Sequence, residues 1–145
     1  LDTKKNRTVP PLRYEEVYRL KKEFPNLNIE INGGIKTKEE ISKHLEQVDG
    51  VMLGRIAYEN PMLLAELAEK KVTRKDVIEH MIEYIKRIEE KEKNPYLALL
   101  HLQGLFYEQK GSKRFKQMIL PPWNKSKNPS RILSEALDEM KKYLK

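Results

Sequence analysis

Two short apolar runs, each ended by glycine and separated by a helical pattern, restrict this chain more than any other feature. Leu27-Asn28-Ile29-Glu30-Ile31 alternates as a strand does and breaks at Asn32-Gly33-Gly34. Val51-Met52-Leu53 is the second run and stops at Gly54. Before the first run, Tyr14, Val17, Tyr18, Leu20 and Phe24 recur near helical spacing, with Pro25 as the stop. Between the runs, Thr37 with Glu40 predicts a capping box that opens a helix burying Ile41, Leu45 and Val48. A further helix is expected from Asn60-Pro61. Helix, strand, helix, strand, helix is the rhythm of a parallel α/β sheet, because parallel strands need crossover connections. Two strands cannot sustain such a sheet alone. Near-continuous apolar strands also imply cover on both faces. The first half therefore reads as a fragment of a larger barrel.

From Thr73 onward the pattern is helical. Val77, Ile78, Met81, Ile82, Ile85 and Ile88 form one apolar stripe. Asn94-Pro95 predicts a second helix running to about Lys110 and ended by Gly111. A short third helix is expected over residues 112–120, and Asn128-Pro129 starts a last one carrying Ile132, Leu133, Ala136, Leu137 and Met140. The expected division is residues 1–70 for the barrel portion and 71–145 for a helical bundle.

Charge separates the halves further. Residues 110–145 hold ten Lys and Arg against three acids, so the whole excess of +7 lies there. Residues 1–109 balance at nineteen of each sign. Such asymmetry points to a polyanion-facing surface, although a solvated basic helix face has the same composition. The sequence has no cysteine, which excludes disulfides, thiolate metal sites and a Cys nucleophile or acid. No apolar run approaches the roughly 20 residues of a membrane span, and Leu1-Asp2-Thr3-Lys4-Lys5 does not read as a signal peptide. A cytoplasmic protein is expected, with neither membrane nor metal partner.

The candidate chemistry lies in the two glycine turns. In an α/β barrel, ligands sit at the C-terminal ends of the strands, and phosphate commonly lies between adjacent strand–helix loops. Glycines let backbone amides approach an anion, and a helix N-terminus adds favourable dipole. Arg55, next to Gly54, can fork onto phosphate oxygens. His44 is expected on a charged helix face, His80 beside an apolar stripe, and His101 among leucines; none joins a catalytic set. In the basic tail, Lys113 and Lys116 share a helix face at spacing suited to a nucleic-acid backbone.

These residues resemble a known family. Lys4-Lys5-Asn6-Arg7-Thr8-Val9-Pro10-Pro11-Leu12, Ile31-Asn32-Gly33-Gly34-Ile35 and Asp49-Gly50-Val51-Met52-Leu53-Gly54-Arg55 are similar to motifs of the A-type tRNA-dihydrouridine synthases. Tyr58-Glu59-Asn60-Pro61 and His101-Leu102-Gln103-Gly104-Leu105-Phe106 follow in the family's order. The resemblance implies the last βα units of an FMN-binding (β/α)8 TIM barrel, followed by an all-α domain that grips tRNA. Members are monomeric oxidoreductases that reduce uridine to dihydrouridine at positions 20 and 20a of the D-loop, with NADPH re-reducing the flavin. It further implies that Asn32, Gly33, Gly34, Gly54 and Arg55 bind FMN, and that Lys4, Arg7, Lys113 and Lys116 contact tRNA. The family usually has arginines where Lys113 and Lys116 stand; lysine keeps the charge and loses the bidentate fork. Leu100 also stands where Arg is frequent. The family's catalytic Cys lies in earlier barrel strands, so no catalytic residue is expected here and this chain alone should be inactive.

Two other readings stand beside this one, the first of a different class. One is a stand-alone RNA-binding helical module with a vestigial α/β segment. The other is a different phosphate-binding flavin barrel of the dihydroorotate dehydrogenase kind, against which the basic tail argues.

Overall fold

The computed structural model describes residues 11–91, 94–123 and 127–144. The chain divides into two compact units, Leu1–Ala57 and Tyr58–Lys145.

The first unit follows the expected alternation. Helix α1 spans Tyr14–Glu23, β1 Glu30–Asn32, α2 Lys38–Leu45 and β2 Gly50–Met52. The strands pair in parallel, with Glu30 opposite Gly50, Ile31 opposite Val51 and Asn32 opposite Met52. Residues 27–29 fall outside β1, which is shorter than the apolar run suggested. Ile29 instead satisfies its amide on Asp49 Oδ2 at 2.8 Å, while its carbonyl accepts from the Asp49 amide at 3.0 Å. Asp49 also pairs with Lys21 at 2.7 Å. The Ile29 amide and Lys21 together hold its carboxyl below the ordinary value.

The predicted capping box opens α2. Thr37 Oγ1 accepts from the Glu40 amide at 3.2 Å, and Glu40 Oε2 accepts from the Lys36 and Thr37 amides at 2.7 and 3.1 Å. Those two amides lower the Glu40 carboxyl. Ile41 and Val48 are buried as expected. Leu45 is exposed, and His44, expected on a charged face, is buried at 6% exposure. The reason is aromatic: Tyr14 and Tyr18 of α1 present their rings to His44. Among the described residues each strand pairs only with the other, and Leu20, Phe24, Leu27 and Met52 remain exposed.

Helix α3, Arg55–Glu59, lies at the join between the units. The second unit contains α4 Met62–Leu67, α5 Arg74–Glu89, α6 Tyr96–Leu100, α7 Ser112–Ile119 and α8 Pro129–Met140, then a 3₁₀ turn Lys141–Tyr143. Its core gathers Ile78, Ile82 and Ile85 of α5, Leu99 of α6, Phe115 and Ile119 of α7, and Leu133, Ala136 and Met140 of α8. Leu102, Leu105 and Phe106 join them from the segment after α6. Because Met62 packs on this core, the compact division falls before the expected position at residue 70.

The helix expected through Lys110 ends at Leu100. Beyond it the amides of Leu102, Leu105, Tyr107 and Gln109 each bond to the carbonyl three residues back. Turns of that size bury Leu99, Leu102 and Leu105, which stand three apart, on one side. The last helix starts at Asn128-Pro129 as predicted, but the Asn128 side chain does not cap it. Glu89, from the end of α5, takes that role by accepting from the Ser130 amide at 2.9 Å and the Ser130 hydroxyl at 2.7 Å.

Helix α5 opens with a second capping box. Thr73 Oγ1 accepts from the Asp76 amide at 3.1 Å, and Asp76 Oδ2 accepts from the Thr73 amide at 2.8 Å. Since α5 carries three core isoleucines, loss of this cap should be felt by the whole helical unit. Thr73→Ala is expected to cost about 1 kcal/mol, lowering its melting temperature by about 4–8 °C. Thermal denaturation followed by circular dichroism checks this.

Among the described residues no helix is long and apolar enough to cross a membrane. No group of three or more His, Asp or Glu among them is placed to hold a metal ion.

Candidate functional site

The parallel pairing decides where the glycine turns lie. Asn32 and Met52 are partners at the last rung, so Gly33 and Gly54 follow at the same edge of the two strands. Opposite edges, which antiparallel pairing would have produced, would have separated them.

The first turn has a specific reason for glycine. Gly33 and Gly34 have φ of 122° and 67°, a region that L side chains rarely adopt. A Cβ at Gly33 would stand 2.8 Å from Leu12 Cδ2, and one at Gly34 would stand 2.9 Å from Leu12 Cδ1. Gly54 has nothing within 4 Å of its Cβ position, so the space beside it is open. Among the described residues, the amides of Gly33, Gly34, Gly54 and Arg55 donate none of the turn, cap or side-chain hydrogen bonds. An amide without such a bond and beside open space, as at Gly54, is what an anion needs. Asn32, Gly34, Gly54 and Arg55 are exposed, and no carboxylate among the described residues pairs with Arg55. Helix α3 is only five residues long, so it supplies a fraction of a full helix dipole. The charge on Arg55 and the individual amides matter more.

The basic tail resolves into two surfaces. On α8 every acid is engaged: Glu135 with Lys127 at 2.6 Å and Arg131 at 3.2 Å, Asp138 with Lys141 at 2.7 Å, and Glu139 with Lys142 at 2.6 Å. Lys127 and then Arg131 hold the Glu135 carboxyl low, as Lys142 does for Glu139. Asp138 and Glu139 correspondingly raise Lys141 and Lys142. On α7, by contrast, Lys113 and Lys116 are exposed and pair with no carboxylate among the described residues. They line a surface groove of about 630 Å³ with Ser112, Gln117, Leu120 and Pro121. Charge counting finds the two lysines but not the uncharged Ser112 and Gln117, which stand beside them on α7.

Lys4 and Arg7 lie outside the described residues. Of the aromatics, Phe106 and Phe115 belong to the core with ring centroids 4.7 Å apart, whereas Tyr58 meets exposed His101 edge-on at 5.7 Å. His80 is also exposed, its Nδ1 at 2.8 Å from the Asp76 carbonyl.

The family model for dihydrouridine synthase (Dus) matches residues 3–141. The chain is 44% identical over 128 residues to the tRNA-dihydrouridine(20/20a) synthase of Haemophilus ducreyi, covering 82% of this chain and 39% of that protein. It is 40% identical over 145 residues to the enzyme of that name from Pseudomonas aeruginosa, covering 95% and 44% respectively. A Synechocystis sp. protein of the same name is 40% identical over 148 residues, covering 97% and 42%. The chain thus spans less than half the length of these relatives.

Proposed function

The chain belongs to the dihydrouridine synthase family, and from that premise we propose that it is the C-terminal part of an FMN-dependent tRNA-dihydrouridine synthase. The full-length protein would reduce uridine at positions 20 and 20a of the D-loop with NADPH, in the cytoplasm. The observation that carries this reading is the meeting of two glycine turns at one strand edge, with open space at Gly54 and an exposed Arg55 that pairs with no carboxylate among the described residues.

In this reading the first unit, which lies within the expected residues 1–70, closes the barrel. The uncovered faces support it, since Leu20, Phe24, Leu27 and Met52 await further strands or helices. The amides of Gly33, Gly34 and Gly54 donate to the FMN phosphate, Asn32 borders the site, and Arg55 adds a full positive charge. FMN, when bound, supplies reducing equivalents as hydride. The part of this chain is to fix the flavin by its phosphate tail and to hold the RNA. Lys113 and Lys116 receive the tRNA backbone along the α7 groove, with Lys4 and Arg7 as further contacts. The sequence has no cysteine, so the acid that protonates the base belongs to the portion of the relatives that this chain does not span.

A second reading, an RNA-binding helical module, is favoured by one observation: the core of the second unit is closed upon itself. The two are separated by assay. Incubated with NADPH, FMN and unmodified tRNA, this chain should bind the RNA and produce no dihydrouridine, whereas the full-length protein should produce it. Product from the chain alone would refute the division of labour proposed here, and no product from the full-length protein would favour the module.

A further inference from the structure

The turn after β1 is held from one side by an aromatic cluster. Tyr14 donates its hydroxyl hydrogen to the carbonyl of Gly33. Its ring meets the His44 ring edge-on, with centroids 4.6 Å apart and planes at 72°. His44 is buried, and its Nδ1 shares a 2.7 Å hydrogen bond with the Tyr18 hydroxyl. Tyr14 and Tyr18, one helical turn apart on α1, thus grip the same imidazole. Burial raises the Tyr18 phenol above its ordinary value, so it stays protonated at neutral pH.

The consequence for the turn follows from peptide planarity. In one peptide unit the carbonyl and the next amide point in opposite directions. Whatever fixes the Gly33 carbonyl therefore fixes the Gly34 amide. A Gly-Gly turn is the place where such a unit can reverse at small steric cost, and Gly33 and Gly34 both have positive φ. Reversal would turn a carbonyl dipole, with its negative end, toward the space that the amide now faces. An anion held there would be repelled instead of bound.

We propose that Tyr14, oriented by His44, is a positioning residue for phosphate recognition: by engaging the Gly33 carbonyl it keeps the Gly34 amide turned toward the phosphate of the flavin nucleotide. The inference rests on the FMN-phosphate reading of the two glycine turns. A Tyr14 that merely fastened α1 to the sheet would contribute to stability and would leave phosphate discrimination untouched.

The test uses the full-length protein freed of flavin and titrated with FMN and, separately, with riboflavin, which has the ring system but no phosphate. Tyr14→Phe keeps the ring against His44 and removes the hydroxyl. The Kd for FMN should rise about 3- to 10-fold, the worth of one hydrogen bond, and the Kd for riboflavin should stay the same. His44→Gln, which keeps the hydroxyl but loosens the ring that aims it, should give a selective loss in the same direction. Equal weakening of both flavins, or no change in either, overturns the positioning role. Arg55→Ala distinguishes the levels of the argument. If it narrows the preference for FMN over riboflavin while Tyr14→Phe does not, Tyr14 has no such role and the phosphate reading stands. If Arg55→Ala leaves that preference intact, the phosphate reading itself fails.

Discussion

Gly104→Ala is expected to destabilise the helical unit by about 2–3 kcal/mol, far more than an exposed glycine substitution. A Cβ at residue 104 would press into the backbone carbonyl oxygens of Tyr58 and Glu59, at the C-terminal end of α3. Main-chain oxygens cannot rotate aside as a flexible side chain would, so one of the two segments must move. Neither is loose. Leu102, Leu105 and Phe106 on either side of Gly104 are buried. The Leu105 carbonyl accepts from Arg74 Nε at 2.9 Å, and the Leu100 carbonyl accepts from the Tyr58 hydroxyl at 3.0 Å. Retreat of the segment would open the core around Phe106 and Phe115. Urea unfolding followed by circular dichroism reads the effect, with a midpoint falling by about 1–2 M. Gly54→Ala is the matched control. Its Cβ would meet nothing within 4 Å, so its unfolding midpoint should be unchanged. Coincident unfolding curves for the two variants would show that residue 104 does not make this approach.

The same contact explains what could and could not be read along the chain. Helix starts were legible because their signals are local. Thr37 with Glu40 needs only the two residues between them to form a box, and Asn128-Pro129 marks the first turn of α8. The helix expected from Asn94-Pro95 to about Lys110 stops at Leu100 because the apolar pattern beyond fits both a helix and a run of tighter turns. What selects the turns is packing against residues more than forty positions away, as in the bond from Tyr58 to Leu100. The burial of His44 is hidden from the sequence for a similar reason: its neighbours Lys43 and Glu46 are charged, while the rings that bury it come from α1. No local signal marks Glu89 as a cap, because the amide its carboxylate satisfies lies 41 residues further on, at Ser130. At the glycine turns, the residues were legible from punctuation and family likeness. That they share one edge depended on strand direction, which the alternation of helix and strand implied and the pairing supplies. The basic tail was legible as a sum. Its partition into ion-paired lysines around α8 and the Lys113–Lys116 pair of α7, which meets no carboxylate among the described residues, was not, because that depends on which acids the lysines reach.

That partition leads to the second large expected effect. If Lys113 and Lys116 receive a tRNA backbone, neutralising both as Lys113→Gln and Lys116→Gln should remove two phosphate contacts. The slope of log affinity against log salt concentration should flatten by about 1.5, at roughly 0.7–0.9 for each contact. Near 0.15 M salt the affinity itself should fall by about 10- to 50-fold. Lys141→Gln with Lys142→Gln is the decisive comparison, because it removes the same formal charge from the same end of the chain. Those two lysines already face Asp138 and Glu139 at 2.7 and 2.6 Å. To bind a phosphate they would first have to leave a carboxylate, so little affinity should be lost with them. Filter binding or fluorescence anisotropy with unmodified tRNA across a salt series measures both pairs. Equal losses would mean that the RNA responds to the net charge of the tail, and the α7 groove would then have no special claim as the binding surface. A loss confined to the α7 pair would locate recognition on a surface whose lysines pair with no carboxylate among the described residues.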